Sequence, residues 1–358
     1  MKKIFYSVMA LAVLAACNKE QVSTAPEFDE NEIRLTSFNT DISTKAPIDG
    51  ESFDGSTMVM VLASNVENNF KKANLYGDLT NMYMKFNAPS GGSQEAVGFC
   101  EANGDPSAKY YSGTNTTYLV GLFPHDKWGD VGADSYSLTI DGQTDAMISK
   151  PIGVTKETNS ANPGKLEFSH LLTKLLVTAE LNDDTDPGYW STIKKIELIK
   201  VGSGESISNQ LTINASDMSK TPSSEGSTTT TSINFAEYNG SSYGTTTELN
   251  KTIGTGASNH DPAPVAYILC PPTDATSDSN TNEYVIKITV GVEGGQDQVK
   301  EVGVNLKSNG DTNDYNGSTK GYAFTINLSF SATEILATAT ITDWIKGGTV
   351  TIPITPEN

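Results

Sequence analysis

One thiol near the start of the chain has a fixed chemical fate. Cys17 directly follows Leu14, Ala15 and Ala16. Lys2 and Lys3 lead into an apolar run, Ile4 to Leu14, that is too short to span a bilayer as a permanent helix, and the two alanines give a peptidase the small side chains it needs. Residues 1–16 therefore read as an export leader that is removed. With Cys17 directly after it, the leader has the bacterial lipoprotein pattern: the thiol takes a diacylglycerol and the freed amine a further acyl chain. Each buried CH2 contributes about 0.8 kcal/mol, so several chains hold where one short chain does not. The mature chain is expected to be lipid-anchored and not to span the membrane.

Other residue patterns offer little chemistry. There are three histidines, His125, His170 and His260, and no two sit at metal-ligand spacing. HExxH, GxSxG and CxxC are absent, as is a phosphate-cradling glycine loop, so the expectation is a non-enzyme with no catalytic residues, no metal and no cofactor. Pro124-His125-Asp126-Lys127-Trp128 reads as a loop leaving the strand Tyr118 to Phe123. His170 falls on the same strand face as Leu166 and Phe168, which suggests a buried, hydrogen-bonded imidazole and not a base. The acidic runs 182–186 and 309–314 lack the EF-hand spacing and its closing Glu, and read as surface turns. Cys100 and Cys270 read as two separate thiols.

These groups sit on a chain with 43 Asp and Glu against 24 Lys and Arg, a net charge of −19; loss of Lys2 and Lys3 with the leader makes it two charges more negative. Such a surface repels phosphate, and no basic stripe offsets it, which excludes nucleic acid as a partner. Short alternating runs rich in Thr, Val, Ile and Tyr, separated by Gly, Asn, Asp and Ser, recur along the chain. Met58–Ala63, Leu166–Leu181, Ile193–Val201, Ile207–Ile213, Tyr284–Val292, Ala323–Phe330 and Glu334–Trp344 are the clearest. No room is left for crossover helices, so the expected class is all-β, as sandwiches or barrels. Roughly 340 residues after processing suffice for two domains. The Ser-, Thr- and Gly-rich tract from Thr221 to Thr255 is too polar for a core of its own and reads as loops around one or two strands.

Both ends of the mature chain carry features of their own. Arg34 is the only arginine, and it lies in Asn31–Phe38, where Ile33 and Leu35 alternate as in a strand. A paired strand resists proteolysis, so the better cut lies beyond it, between Lys45 and Ala46 in the polar, breaker-rich stretch 43–50. At the other end Val350, Ile352 and Ile354 alternate with Thr349, Thr351 and Pro353. Pro353 suits an edge or terminal strand, and Gly347-Gly348 forms a flexible joint before it. Two readings stay open: a strand that closes its own sheet, or one that swings into a neighbouring molecule.

Several of these residues, taken in order, resemble the fimbrillins, the shaft, tip and anchor subunits of type V pili of Bacteroidetes-type bacteria. They are the lipobox at Cys17, the early strand Ile33–Ile42 with Thr44-Lys45-Ala46, and the strand ending Leu122-Phe123-Pro124. They continue with Phe168-Ser169-His170-Leu171-Leu172-Thr173-Lys174-Leu175, and close with Ala339-Thr340-Ile341-Thr342-Asp343-Trp344 and Gly347-Gly348. The resemblance implies two transthyretin-like (Greek-key) β-sandwich domains in tandem. The implied division is a leader 1–16, a lipidated propeptide 17–45 containing the first strand, a domain 46–165 and a domain 166–358.

It also implies export to the outer membrane, held there by the lipid on Cys17, and a trypsin-like processing protease that removes the first strand with Ile33 and Leu35. The vacated groove then takes a strand from another pilin subunit, supplied by Val350, Ile352 and Ile354 in a fimbrium of like or related subunits. Main-chain hydrogen bonds would fill the open edge while alternate side chains plug the core. The chain departs from the best-known members by having Lys45 where they have Arg. Without a lysine-tolerant protease, cleavage falls after Arg34 or does not occur, and the subunit stays anchored. The alternative is an uncleaved outer-membrane surface lipoprotein that binds host or bacterial glycans through Trp128, Trp190 and Tyr243.

Overall fold

The structure is a computed structural model of the 358-residue chain. It describes residues 33, 35–37, 57–71, 83–86, 94–111, 115–130, 134–157, 164–181, 189–218, 228–239, 242–255, 263–273, 282–306, 319–331, 335–342 and 351–352. The named elements are all strands, and the fold class is all-β.

The first half contains β1 (Leu35–Ser37), β2 (Met58–Ser64), β3 (Tyr83–Phe86), β4 (Gln94–Cys100), β5 (Thr117–Phe123) and β6 (Gly129–Asp130). It continues with β7 (Ser135–Thr139), β8 (Met147–Ser149), β9 (Ile152–Val154), β10 (Gly164–Leu166) and β11 (Phe168–His170). Nine of these make one sheet in the order β10-β1-β4-β3-β2-β5-β8-β11, with β9 also on β5. The sheet curls until β9 lies beside β10. Because a strand's side chains alternate between faces, β2 and β5 serve two cores. Val59, Val61, Ala63 and Leu119 meet Ile33, Met84, Phe99, Met147, Val154 and Leu166 on one side. Met60, Leu62, Val120 and Leu122 join the main core on the other.

The second half holds β12 (Thr173–Leu181), β13 (Trp190–Val201), β14 (Ile207–Ser208), β15 (Gln210–Asn214), β16 (Thr229–Thr230), β17 (Ile233–Asn234) and β18 (Ala236–Glu237). After them come β19 (Lys251–Thr252), β20 (Gly254–Thr255), β21 (Ala266–Cys270), β22 (Tyr284–Val292), β23 (Gln298–Val304), β24 (Ala323–Phe330), β25 (Ile335–Thr342) and β26 (Thr351–Ile352). Two sheets face each other: β18-β21-β12-β24-β25-β26, with β20 on β12, and β17-β13-β22-β23, with β19 on β13. In β22 the alternate residues Tyr284, Ile286, Ile288 and Val290 are all fully buried, as the pleat requires. They meet Leu175, Val177, Phe324, Ile326, Leu328 and Phe330 in the main core. The outer side of β12 is covered too. There Lys174 donates to the Tyr243 hydroxyl and lies 4.8 Å from the centre of its ring, while Leu176 packs against Tyr267.

A buried polar knot ties this half together. Thr319 is fully buried; its Oγ1 accepts from the Thr273 amide at 2.9 Å and lies 2.9 Å from the Tyr284 hydroxyl and 2.8 Å from Thr173 Oγ1. Leaving several buried partners unpaired costs about 1–3 kcal/mol each. We expect Thr319→Ala to lower the unfolding free energy by about 3 kcal/mol in denaturant titration, and Thr319→Ser, which keeps the oxygen, to restore most of it. Burial pushes the nearby Cys270 thiol well up, and it also raises that of Cys100. Both cysteines are free and buried, which makes them unreactive as nucleophiles.

The outward face of β13 and β22 carries a charge cluster centred on Glu197, which takes Lys287 at 2.8 Å, Lys195 at 3.1 Å and the Ser232 hydroxyl at 3.2 Å. Burial pushes the Glu197 carboxyl up, but the hydrogen bonds and charges of the two lysines outweigh it and hold the group below its ordinary 4.5. A carboxyl depressed in the folded state contributes stability above its unfolded value, and that stability disappears as the pH falls through the folded value. Glu197→Gln is therefore expected to flatten the loss of stability on acidification below about pH 4.5, read from thermal midpoints at stepped pH.

Two elements differ from the sequence expectation. Leu166–Leu181 is not one strand: it is the end of β10, then β11, then a crossing at Leu171 and Leu172 into β12. β10 and β11 pair with β1 and β8 of the first half, so the division expected between residues 165 and 166 falls inside β10, and the second half's sheets take up the chain at Thr173. Ile207–Ile213 likewise splits at Asn209 into β14 and β15. A continuous apolar run reports burial, and it stays continuous when a strand changes sheet inside a single core.

Candidate functional site: the slot of the first strand

β1 lies between β4 and β10 within the large sheet. It runs antiparallel to β4, with Thr36 opposite Glu95 and Ser37 opposite Gln94. It runs parallel to β10, with Leu35, Thr36 and Ser37 opposite Gly164, Lys165 and Leu166. Just before it, the Ile33 amide donates to the Lys109 carbonyl at 2.8 Å, and the Ile33 side chain is 1% exposed. Ile33 is held among Val59, Val61, Met84, Phe99, Leu119 and Leu166, with Tyr111 packed against the same cluster.

The rim beside Ile33 is built by a tight turn. Glu101 N donates to Asp105 O at 2.8 Å, Ser107 N donates to Phe99 O at 2.9 Å, and the Asn103 and Asp105 side chains lock the turn. That turn folds residues 106–110 back along β4 and aims the Lys109 carbonyl at the first strand. Tyr110 is left half exposed at the mouth. The chemistry available here is strand pairing: an apolar floor, two sheet edges and the Lys109 carbonyl acceptor are presented to whatever extended segment lies in the slot.

Of the residues singled out in the sequence, Ile33 is buried in the slot and Leu35 lies on β1. Ile352 lies on β26 opposite Ala339, so the C-terminal segment pairs with the edge of its own sheet. Cys17, Arg34, Lys45, Ala46, Val350 and Ile354 lie outside the described residues, as do the two acidic runs.

His170 is buried with Nδ1 at 3.0 Å from the Asp145 carboxylate, itself buried, in line with the structural reading. Trp128 and Trp190 are core residues whose indole N–H groups donate to the carbonyls of Phe123 at 3.0 Å and Ser331 at 2.6 Å. Neither presents a ring face for a sugar to stack on. Tyr243 is half-buried between Tyr238 and Tyr267. Among the described residues, no cluster of three or more His, Cys, Asp or Glu is placed to hold a metal ion, and no helix is long and apolar enough to cross a membrane.

Sequence reasoning missed both walls of the slot. In β4 only Val97 and Phe99 alternate, polar Gln94 and Glu95 precede them, and the pairing with β3 shifts register between Lys85 opposite Gly98 and Phe86 opposite Ala96. In β10 three residues, Gly164 to Leu166, are too few to show a period.

An all-β chain of several packed antiparallel and mixed sheets, with the first of its described strands inserted between two others, defines the structural class. No family model and no curated protein matches the sequence. Solved structures do match. One is a "putative cell adhesion protein" from Bacteroides uniformis, at a TM-score of 0.52 and 12% identity, covering 89% of this chain and 100% of that one. A protein of the same description from Bacteroides ovatus matches at 0.50 and 14%, covering 90% and 100%. A fimbrial protein from Bacteroides vulgatus gives 0.49 and 11%, covering 88% and 99%. At these identities the likeness to the first two is one of fold, and it covers 89% and 90% of this chain.

Proposed function

We propose that the chain is the precursor of a fimbrillin-type pilus subunit, displayed on the bacterial surface and assembled with like or related subunits by strand exchange. The observation that carries this reading is the position of the first strand. It is an interior strand of a nine-stranded sheet, preceded by a fully buried isoleucine, yet it belongs to a segment that 19 residues, 38–56, separate from Thr57. A cut after Lys45, within that stretch, releases β1 and leaves the edges of β4 and β10 and the floor around Phe99 and Leu166 uncovered. An interior strand is a costly thing to lose, so its removal calls for a replacement. The fold shared with proteins named for cell adhesion, and the lipobox at Cys17, support the same reading.

In this scheme Cys17 carries the lipid that holds the precursor at the outer membrane, and a lysine-accepting protease cuts between Lys45 and Ala46, with Arg34 as the second-choice site. Val350, Ile352 and Ile354 form the strand that one subunit lends to the next. Intact mass and N-terminal sequencing of the protein from its own cell surface test the scheme. A start at Ala46 is expected; a blocked, acylated Cys17 on every molecule overturns maturation by cleavage and leaves a permanent surface lipoprotein.

A further inference from the structure

The excursion between β13 and β17 does not stay with the half of the chain that contains it. β15 leaves the second half and pairs with β7 of the first, with Gln210 to Asn214 opposite Thr139 to Ser135, so that β6, β7 and β15 form a sheet shared by both halves. Backbone hydrogen bonds extend this ladder at both ends. Ile140 N donates to Asn209 O at 2.7 Å, Ala215 N to Asp134 O at 2.8 Å, Phe70 N to Ala215 O at 2.6 Å and Met218 N to Asn68 O at 2.7 Å. Leu211, Ile213, Ala215 and Met218 are buried in one continuous core with Leu62, Val120 and Tyr136 of the first half.

A second tie runs the opposite way. The turn after Ile140 reaches onto the second half, where Leu269 N donates to Gly142 O at 2.8 Å and Gln143 Nε2 to Asn234 O at 3.1 Å. The Asp141 carboxylate fixes this turn by accepting from the amides of Gln143 and Thr144 at 2.9 and 2.7 Å. Gly142 stands at φ +91°, and a Cβ there would lie 2.9 Å from Ile233 and 3.0 Å from the Asn234 carbonyl, so the turn sits flush against the other half.

We propose that these reciprocal insertions are an interlock that makes the two halves one cooperative, rigid unit, so that a load or a loss of structure in one half is resisted by both. Domains joined by a linker and a polar interface move and open separately. Here each half has backbone of the other built into its hydrogen-bonding, and the main core takes side chains from both. For a surface fibre the consequence is a stiff element with a fixed angle between its halves. The proposal concerns the fold and does not depend on cleavage or on strand exchange.

Native-state amide hydrogen exchange on the unaltered mature chain tests it. The amides of Ile140, Ala215 and Leu269, whose bonds cross between halves, are expected to open with the same free energy and the same denaturant dependence as amides of β12 and β24. Exchange 100-fold or more faster than those core amides overturns the interlock.

Gly142→Ala supplies the second arm, with unfolding followed through Trp128 in one half and Trp190 in the other, each as the sole tryptophan. Both signals are expected to shift to lower denaturant together. A shift confined to one of them overturns the proposal, because it shows two independently unfolding halves.

Discussion

Ile33→Ala will cost the full-length chain about 3 kcal/mol of unfolding free energy, the range for truncating a buried aliphatic side chain, as lost transfer energy plus an unfilled cavity. The site has little freedom to collapse: Ile33 is 1% exposed, and the Val59, Val61, Met84, Phe99, Leu119 and Leu166 around it are themselves on paired strands or at their ends. The loss will be greater for a chain that begins at Ala46, which lacks the ladder bonds to β4 and β10 as well as the side chain. Adding a peptide of residues 349–355 to that shortened chain should recover stability by mass action, about 2.7 kcal/mol at 100 times the dissociation constant. Thermal midpoints with and without the peptide read this directly. If the shortened chain is as stable as the full one and indifferent to the peptide, the slot is not a receptor for an exchanged strand.

The all-β class was legible because its signal is local and repeated: Tyr284–Val292 and Ala323–Phe330 alternate cleanly, and each became one strand buried on one face. His170 could be placed in the core from its neighbours Leu166 and Phe168 alone. Sheet membership was not legible. Leu166–Leu181 reads as one apolar run, yet it serves three strands in two sheets, because both halves draw on one core and the hydrophobic pattern does not break where the chain crosses between them. The interlock was invisible for the same reason: Leu211 and Ile213 alternate as in any strand, and nothing in that period says that the partner is Tyr136 and Leu138 and not a neighbour in the chain. The aromatic candidates failed on a different ground. Trp128 and Trp190 follow polar, turn-forming residues and so read as exposed, but each indole has one donor that a nearby carbonyl satisfies, which leaves the rest of the ring free to join the core. Of the slot, the sequence showed a strand, through the alternation of Ile33 with Leu35, but not its burial, and the walls, β4 and β10, lacked enough period to be seen.

Replacing Val350, Ile352 and Ile354 together by aspartate will abolish assembly while leaving the folded subunit intact, the largest effect expected of any change outside the core. Among the described residues, β26 is an edge strand that pairs with its sheet through Ile352 opposite Ala339 and Thr351 opposite Thr340, whereas β24 and β25 are paired along eight residues. Two described pairs contribute little beside the eight that join β24 and β25. In an acceptor slot the same segment would fill the floor now held by Ile33, and burying each aliphatic side chain contributes about 1.5–3 kcal/mol. Losing three of them, with charges put in their place, removes at least about 5 kcal/mol, more than a thousandfold in affinity. Detergent-resistant ladders on unheated gels should vanish for the triple variant, while its thermal midpoint stays within a few degrees of the parent. Ladders that persist would show that another segment is the donor. A collapse of the monomer's midpoint would show that its own sheet cannot spare residues 350–354, and that the strand closing it is not the one lent to a neighbour.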